Sequence, residues 1–407
     1  MKTVLQNFSL PLVFGAILLM AACNKKEETT LNNLKPYRTD ESQATTINQT
    51  SISTDMVLED RVNGVDYIIP HTLDVTANLT IKPGVTLMFD EGAGIVVRNN
   101  GSITAIGQDA NEVYFTSHTA KRGGWAGITV LNTNAHNILD HCIIEQGGGD
   151  NVYGTGNIII GAADNNARIA ISNSEITASK TVGIRAGQGS IIEAFHGNKI
   201  HTNTENGLAL YVADAATLTD QNTFTNNGKE SVLLVSYGNL ISRPVSIPKI
   251  SIPYSFNEHI IAGNTFVIQA GNKIIMNENA AIIVDGRNGN GSFTAVGTAT
   301  QPITIIGAYN NPGGWKFIQF NSTHSANNRL EYCVIDGGGG STVSGEAGMI
   351  SVTNQNSGTS AVTIRNNKIY NSANVGIYIK TANTQYNADI ITANTFSGNL
   401  NGNTQFE

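Results

Sequence analysis

Ser174-Glu175-Ile176 is followed by Gly183-Ile184. Twenty-four residues on, Asn198-Lys199-Ile200 is followed by Gly207-Leu208, and after another 24 Asn222-Thr223-Phe224 is followed by Ser231-Val232. The phrase returns as Asn367-Lys368-Ile369 with Gly376-Ile377. A fixed period of this size marks a solenoid, in which each repeat is one coil that buries its apolar side only against its neighbours. The Asn and the Ile or Phe are two apart, so both point to one face of a strand and the residue between them points outward. Ile176, Ile200 and Phe224 are therefore expected to stack as an inward apolar column. Asn198, Asn222, Asn367 and Asn394 sit where strand meets turn and are expected to bond along the stack as a ladder. Glu175 and Lys199, at the same outward place in successive coils, are expected to form an exposed ion pair of little energetic weight. The composition agrees with this reading: 42 Gly and only 14% charged residues suit strands joined by tight turns.

A larger repetition contains the smaller one. Residues 81–149 can be laid over 268–340: Gly101-Ser102-Ile103-Thr104-Ala105-Ile106-Gly107 on Gly291-Ser292-Phe293-Thr294-Ala295-Val296-Gly297, Gly123-Gly124-Trp125 on Gly313-Gly314-Trp315, and Leu139-Asp140-His141-Cys142 on Leu330-Glu331-Tyr332-Cys333. Between the copies, Ser242 to Pro253 carries three prolines, which cannot donate to a sheet ladder and so mark a seam. The expected organisation is a first unit over 56–241 and a second, shorter one over 242–407.

These residues resemble the right-handed parallel β-helix of the pectin-lyase-like superfamily. They are most similar to its bacterial surface-lipoprotein members, in which a Gly-Ser-Ile/Leu-Thr-Ala-x-Gly strand precedes a Trp-containing Gly turn. The resemblance implies an all-β fold, a right-handed parallel β-helix solenoid built from two tandem copies of one unit. About 14 coils stacked about 4.8 Å apart would give a rod on the order of 65 Å long if the copies share an axis. It implies little about activity, because the superfamily holds lyases, hydrolases and adhesins.

The amino terminus carries its own signals. Lys2 and the apolar run from Phe8 to Ala22 read as a secretory leader over 1–22, and Leu19-Met20-Ala21-Ala22-Cys23 matches the lipobox. The resemblance to bacterial lipoproteins implies cleavage before Cys23, acylation of that residue (palmitate labelling) and a hold on the lipid bilayer without a spanning helix. Lys26-Glu27-Glu28 resembles the signal that sends lipoproteins through the outer membrane to face the cell exterior. The polar stretch completing 23–55 reads as a flexible tether. Without the leader, 23 basic residues stand against 31 acidic ones. That balance leaves no basic stripe to displace counterions and argues against nucleic acid as a partner.

Chemistry-bearing residues are sparse. Cys142 and Cys333 fall in the Asn column and read as inward free thiols, too far apart to be bridged. Trp125 and Trp315 are candidate glycan-stacking platforms, although their matched place in a Gly-Gly-Trp turn favours packing. Gly147 to Gly149 and Gly337 to Gly340 lead into loops at Asp150 to Gly156 and Ser341 to Ala347, which are candidate binding rims. Asp140, Glu145, Glu331 and Asp336 are the carboxylates nearest those rims. Asp285 to Gly291 lacks the spacing and terminal Glu of a calcium loop. No cysteine-histidine metal pattern is present, and no metal or other cofactor is expected. The catalytic motifs of the polygalacturonase-like members are missing, and no acid pair is legible at coil spacing, so no catalytic residue is assigned. The reading is a surface lipoprotein whose β-helix binds carbohydrate or a host or cell-surface protein, or acts as an adhesive or structural rod. The alternative is a polysaccharide lyase or glycoside hydrolase.

Overall fold

The computed structural model describes residues 39–162, 166–286, 291–341, 348–354 and 358–407. Cys23 and its leader lie outside the described residues, as do 287–290 of the Asp285 to Gly291 turn and 342–347 of the second rim loop. The chain is a right-handed parallel β-helix, and all its strand pairings are parallel. Coils begin earlier than the sequence suggested. Thr45–Thr46 and Ser51–Ile52 already pair with Tyr67–Ile69 and Leu73–Val75, and Ile47 and Ile52 are buried. The stretch up to residue 55 is thus not all tether: its apolar residues cover the open end of the core.

One sheet, here called B, has 14 strands and runs from Ser51–Ile52 to Thr395–Ser397 without a break. The two segments matched in sequence therefore belong to one stack, and 14 strands at about 4.8 Å give the length expected for a shared axis. In the first half each coil passes from an eight-stranded sheet A to B and then to a six-stranded sheet C. In the second half it passes from B to a seven-stranded sheet D and then to a six-stranded sheet E. The exchange happens at the proline seam. The third position of one coil is taken by a 3-10 helix, Val212–Thr217, and A ends at Thr223–Thr225. After Lys229–Val235 in B, the chain opens D with Leu240–Ile241 and E with Val245–Ile247. The matching segments are consequently one sheet out of step. Cys142–Glu145 lies in A but Cys333–Asp336 in B, Gly127–Val130 in B but Ile318–Asn321 in D, and Ile138–Asp140 in C but Arg329–Glu331 in E.

The repeat phrase does what its spacing requires. Ile176, Ile200 and Phe224 are in register; the first two are buried and Phe224 packs partly buried against the same core. Asn198 Nδ2 donates to Asn222 Oδ1 at 2.8 Å, and Asn367 Nδ2 to Asn394 Oδ1 at 3.0 Å. The same column takes in the cysteines, since the Cys142 N–H donates to Ser174 Oγ and the Cys333 N–H to Asn367 Oδ1. A second ladder, through Ser179, Asn203 and Asn227, runs along the next corner. These amides take up corner N–H and C=O groups that the strands leave unpaired, which is why Asn recurs there.

The expected Glu175–Lys199 pair is not what forms. Glu175 instead meets His201 Nε2 at 3.0 Å, two positions along the next strand. The imidazole offers a directed hydrogen bond.

Candidate functional site

Between the inward columns, sheet B shows one outward side chain per coil. Thr129, Ile159, Arg185, Ala209 and Leu233 follow one another in register. The loop at 150–156 crosses this face. Asn151 fixes it, donating from Nδ2 to Thr129 Oγ1 at 3.0 Å and accepting the Tyr153 N–H at 3.0 Å on Oδ1. Gly154, at φ +129°, brings its backbone against Arg185; a Cβ there would lie 3.2 Å from Arg185 Cδ in a conformation L-residues avoid.

A second wall comes from the turn after Lys229–Val235. The Ser236 and Tyr237 N–H groups both donate to Glu258 Oε1, at 2.6 and 2.9 Å, and Tyr237 stands 45% exposed. Asn239 Nδ2 reaches across to Gln188 Oε1 at 2.9 Å. Between these walls and the turns at Gly161 and Gly187 lies a cavity of about 320 Å³ lined by Tyr153, Arg185, Gln188, Tyr237 and Asn239. Its size is at the small end of the range for ligand sites, and mostly apolar walls with a few placed polar groups are what such sites share. Arg185 Nε is buried and has no hydrogen-bond partner among the described residues. A larger cleft of about 430 Å³ near Asp40, Asp60 and Arg61 is open, polar and without an aromatic side chain.

The residues singled out from sequence are placed differently. Trp125 and Trp315 are both fully buried. Trp125 stacks on Phe89 with ring centroids 4.3 Å apart, and the indole N–H groups donate to the carbonyls of Glu145 and Asp336 at 2.7 Å. Neither ring offers a face to a glycan; both are core. The Gly runs serve them, since a Cβ at Gly338 would sit 2.6 Å from Trp315 Cε2 and one at Gly147 3.3 Å from Trp125 Cε2. Cys142 and Cys333 are free and buried, and seven coil steps of about 4.8 Å separate their rows. Burial pushes the Cys333 thiol up to about 12 and the Cys142 thiol higher still.

The four rim carboxylates do not converge: Asp140 is on C, Glu145 on A, Glu331 on E and Asp336 on B. Burial opposes the charge of Asp140, but hydrogen bonds from Ser172 and Asn173 at 2.7 and 2.9 Å, with His141 beside it, hold its carboxyl below the usual range. Glu331 takes Arg329 Nε at 2.8 Å, and Asp336 takes Asn371 Nδ2 at 2.9 Å. Glu145 differs. It is 7% exposed, and burial, with the Glu175 charge adding to it, pushes its carboxyl up to about 7. Its neighbour Glu175 is held low by the hydrogen bond from His201. This acid pair on adjacent strands was not legible from the sequence, because Glu145 and Glu175 stand at different places in their strands. Among the described residues no group of three or more His, Cys, Asp or Glu is placed to hold a metal ion.

Sequence reasoning found one wall of the cavity, the loop at 150–156, and missed the rest. Arg185, Gln188, Tyr237 and Asn239 come from three separate turns and strands with no shared spacing. Residues 75–244 match the family model described as a right-handed β-helix region. The matched stretch ends at the seam and contains all of the residues named in the cavity's lining. No curated protein and no solved structure matches the chain.

Proposed function

We propose that this protein is an exported, lipid-anchored β-helix that binds carbohydrate in the cavity on sheet B. The observation that carries the reading is the pair Tyr153 and Tyr237 lining one small, mostly apolar cavity with Gln188, Asn239 and Arg185. Aromatic rings give a sugar ring apolar area at low entropic cost, and amide and guanidinium groups orient its hydroxyls. The loop and turn that present the two tyrosines are tied down by Asn151 and Glu258, so little ordering cost falls on binding. The lipobox at Cys23 and the Lys26-Glu27-Glu28 segment support an outer-membrane anchor with the β-helix facing the cell exterior, where glycans and partner surfaces are met.

The test is a glycan array on the full chain purified in detergent, followed by titration of the hits with Tyr153→Ala and Tyr237→Ala. Each variant should weaken binding about tenfold or more while keeping the far-UV spectrum. Array binding that both variants retain would move the site elsewhere. In cells, Cys23→Ala should abolish palmitate labelling, and protease shaving should remove the wild-type protein from intact cells; a protected protein would place it on the inner leaflet. The cleavage alternative rests on Glu145 and Glu175, whose protonation is pulled apart as in an acid–base pair. Sustained release of reducing or unsaturated ends from pectin, alginate or chondroitin, lost in Glu145→Gln, would establish it in place of simple binding.

A further inference from the structure

Arg185 stands apart from the other described arginines. Arg98 is held by Asp74 through two bonds of 2.6 and 2.5 Å, Arg168 pairs with Glu193, Arg243 with Asp214, Arg329 with Glu331 and Arg365 with Asp389. Arg122 Nη1 donates to the carbonyls of Ser179 and Thr202, and Arg61 donates to Thr45 and lies over the Tyr67 ring. Arg185 has neither an ion pair nor a hydrogen bond among the described residues, and its Nε is buried. A guanidinium is never neutral in a protein, so its charge cannot be relieved by losing a proton. A partly desolvated cation without a partner is costly, and the described residues supply none.

We infer that the cavity on sheet B selects a glycan unit bearing a carboxylate, which Arg185 takes between Tyr153 and Tyr237. This rests on the reading of the cavity as a sugar site and adds the charge of the sugar to it. Three features converge. The strand fixes the Arg185 backbone in register between Ile159 and Ala209, so the head group cannot wander far along the sheet. Gly154 lets the loop backbone close on the Arg185 stem, and the Arg185 side chain lines the cavity. Gln188 and Asn239, already bonded to each other, add amide groups beside it for hydroxyls. A planar fork matches a planar carboxylate through two parallel N–H···O bonds.

The experiment is calorimetric titration of the full chain in detergent with four probes: sialyllactose, its carboxyl methyl ester, lactose and a sulfated lactose. A glucuronate-terminated disaccharide and its methyl ester form a second pair. Wild type should bind the free acids at least about tenfold more tightly than their esters, the scale of one charge-assisted hydrogen bond. Arg185→Gln should abolish the acid-over-ester gap, and Arg185→Lys should restore only part of it. Equal affinity for acid and ester overturns the charge assignment while leaving the sugar site standing, and a preference for the sulfated probe overturns the carboxylate. If no probe binds and the array is blank, the sugar reading itself falls.

Discussion

Glu145→Gln should make the protein's stability far less sensitive to pH, and the size of the effect follows from its surroundings. Thr116 Oγ1 lies 2.7 Å from Glu145 Oε1 and 3.2 Å from Gln146 Oε1. Thr116 has one proton for two acceptors. If Glu145 is protonated, its own hydroxyl donates to Thr116 and frees the threonine proton for Gln146, so the buried group is satisfied in its neutral form. The carboxyl is pushed from 4.5 to about 7, by burial first and by the charge of Glu175 second. Because the folded-state value is raised, the native state binds the extra proton and stability falls as pH rises. The loss starts near 4.5, runs to about 7 and is complete above it. A shift of that size corresponds to about 3 kcal/mol. Gln keeps the shape, can donate to Thr116 and carries no charge. The stability difference between variant and wild type should therefore grow by about 3 kcal/mol in the variant's favour between pH 4.5 and 8. Urea unfolding at half-unit pH steps measures it, with amide exchange of the Cys142–Glu145 strand as a local check, since a stacked array need not unfold in one step. Glu175→Gln in the wild-type background should narrow the window only slightly, its charge being the smaller cause. A difference that stays constant across this range, or that widens toward acid, would refute the protonated buried carboxyl.

The remaining predictions concern packing. Cys142 and Cys333, each 1% exposed, should be reduced in the exported protein and resist iodoacetamide until it is unfolded; rapid labelling of the native form, or a mass two protons lighter, would contradict the columns. Gly338→Ala sets a Cβ 2.6 Å from Trp315 Cε2 and 2.8 Å from Met349 Cγ, and should cost about 1–3 kcal/mol in unfolding free energy with a changed Trp emission. An unaltered melting profile would show that the Gly run is not there to seat the ring.

Interior positions were legible because they repeat: the Asn column, the Ile column and the two cysteines follow from a period that stacking itself imposes. What the period cannot report is which sheet a given phrase will join. Parallel stacking is satisfied whether a coil begins on A or on B, so the one-sheet advance at the seam leaves every inward column intact and no trace in the repeat. Its consequence is functional. Arg185 and Tyr378 hold the same place in the phrase, after Gly183-Ile184 and Gly376-Ile377. Arg185 lines the cavity on sheet B with no partner among the described residues, whereas Tyr378 lies in D, 2% exposed, with its hydroxyl donating to Glu407 Oε2 at 2.7 Å. Repetition preserved the coil but not the chemistry presented from it. The wall supplied by Tyr237 and Asn239 comes from where the first half meets the second, at the first turn by which the chain leaves B for D. The cavity is therefore a property of the junction, whereas the repeated residues Trp125 and Trp315 are core, as their matched place in the Gly-Gly-Trp turn favoured.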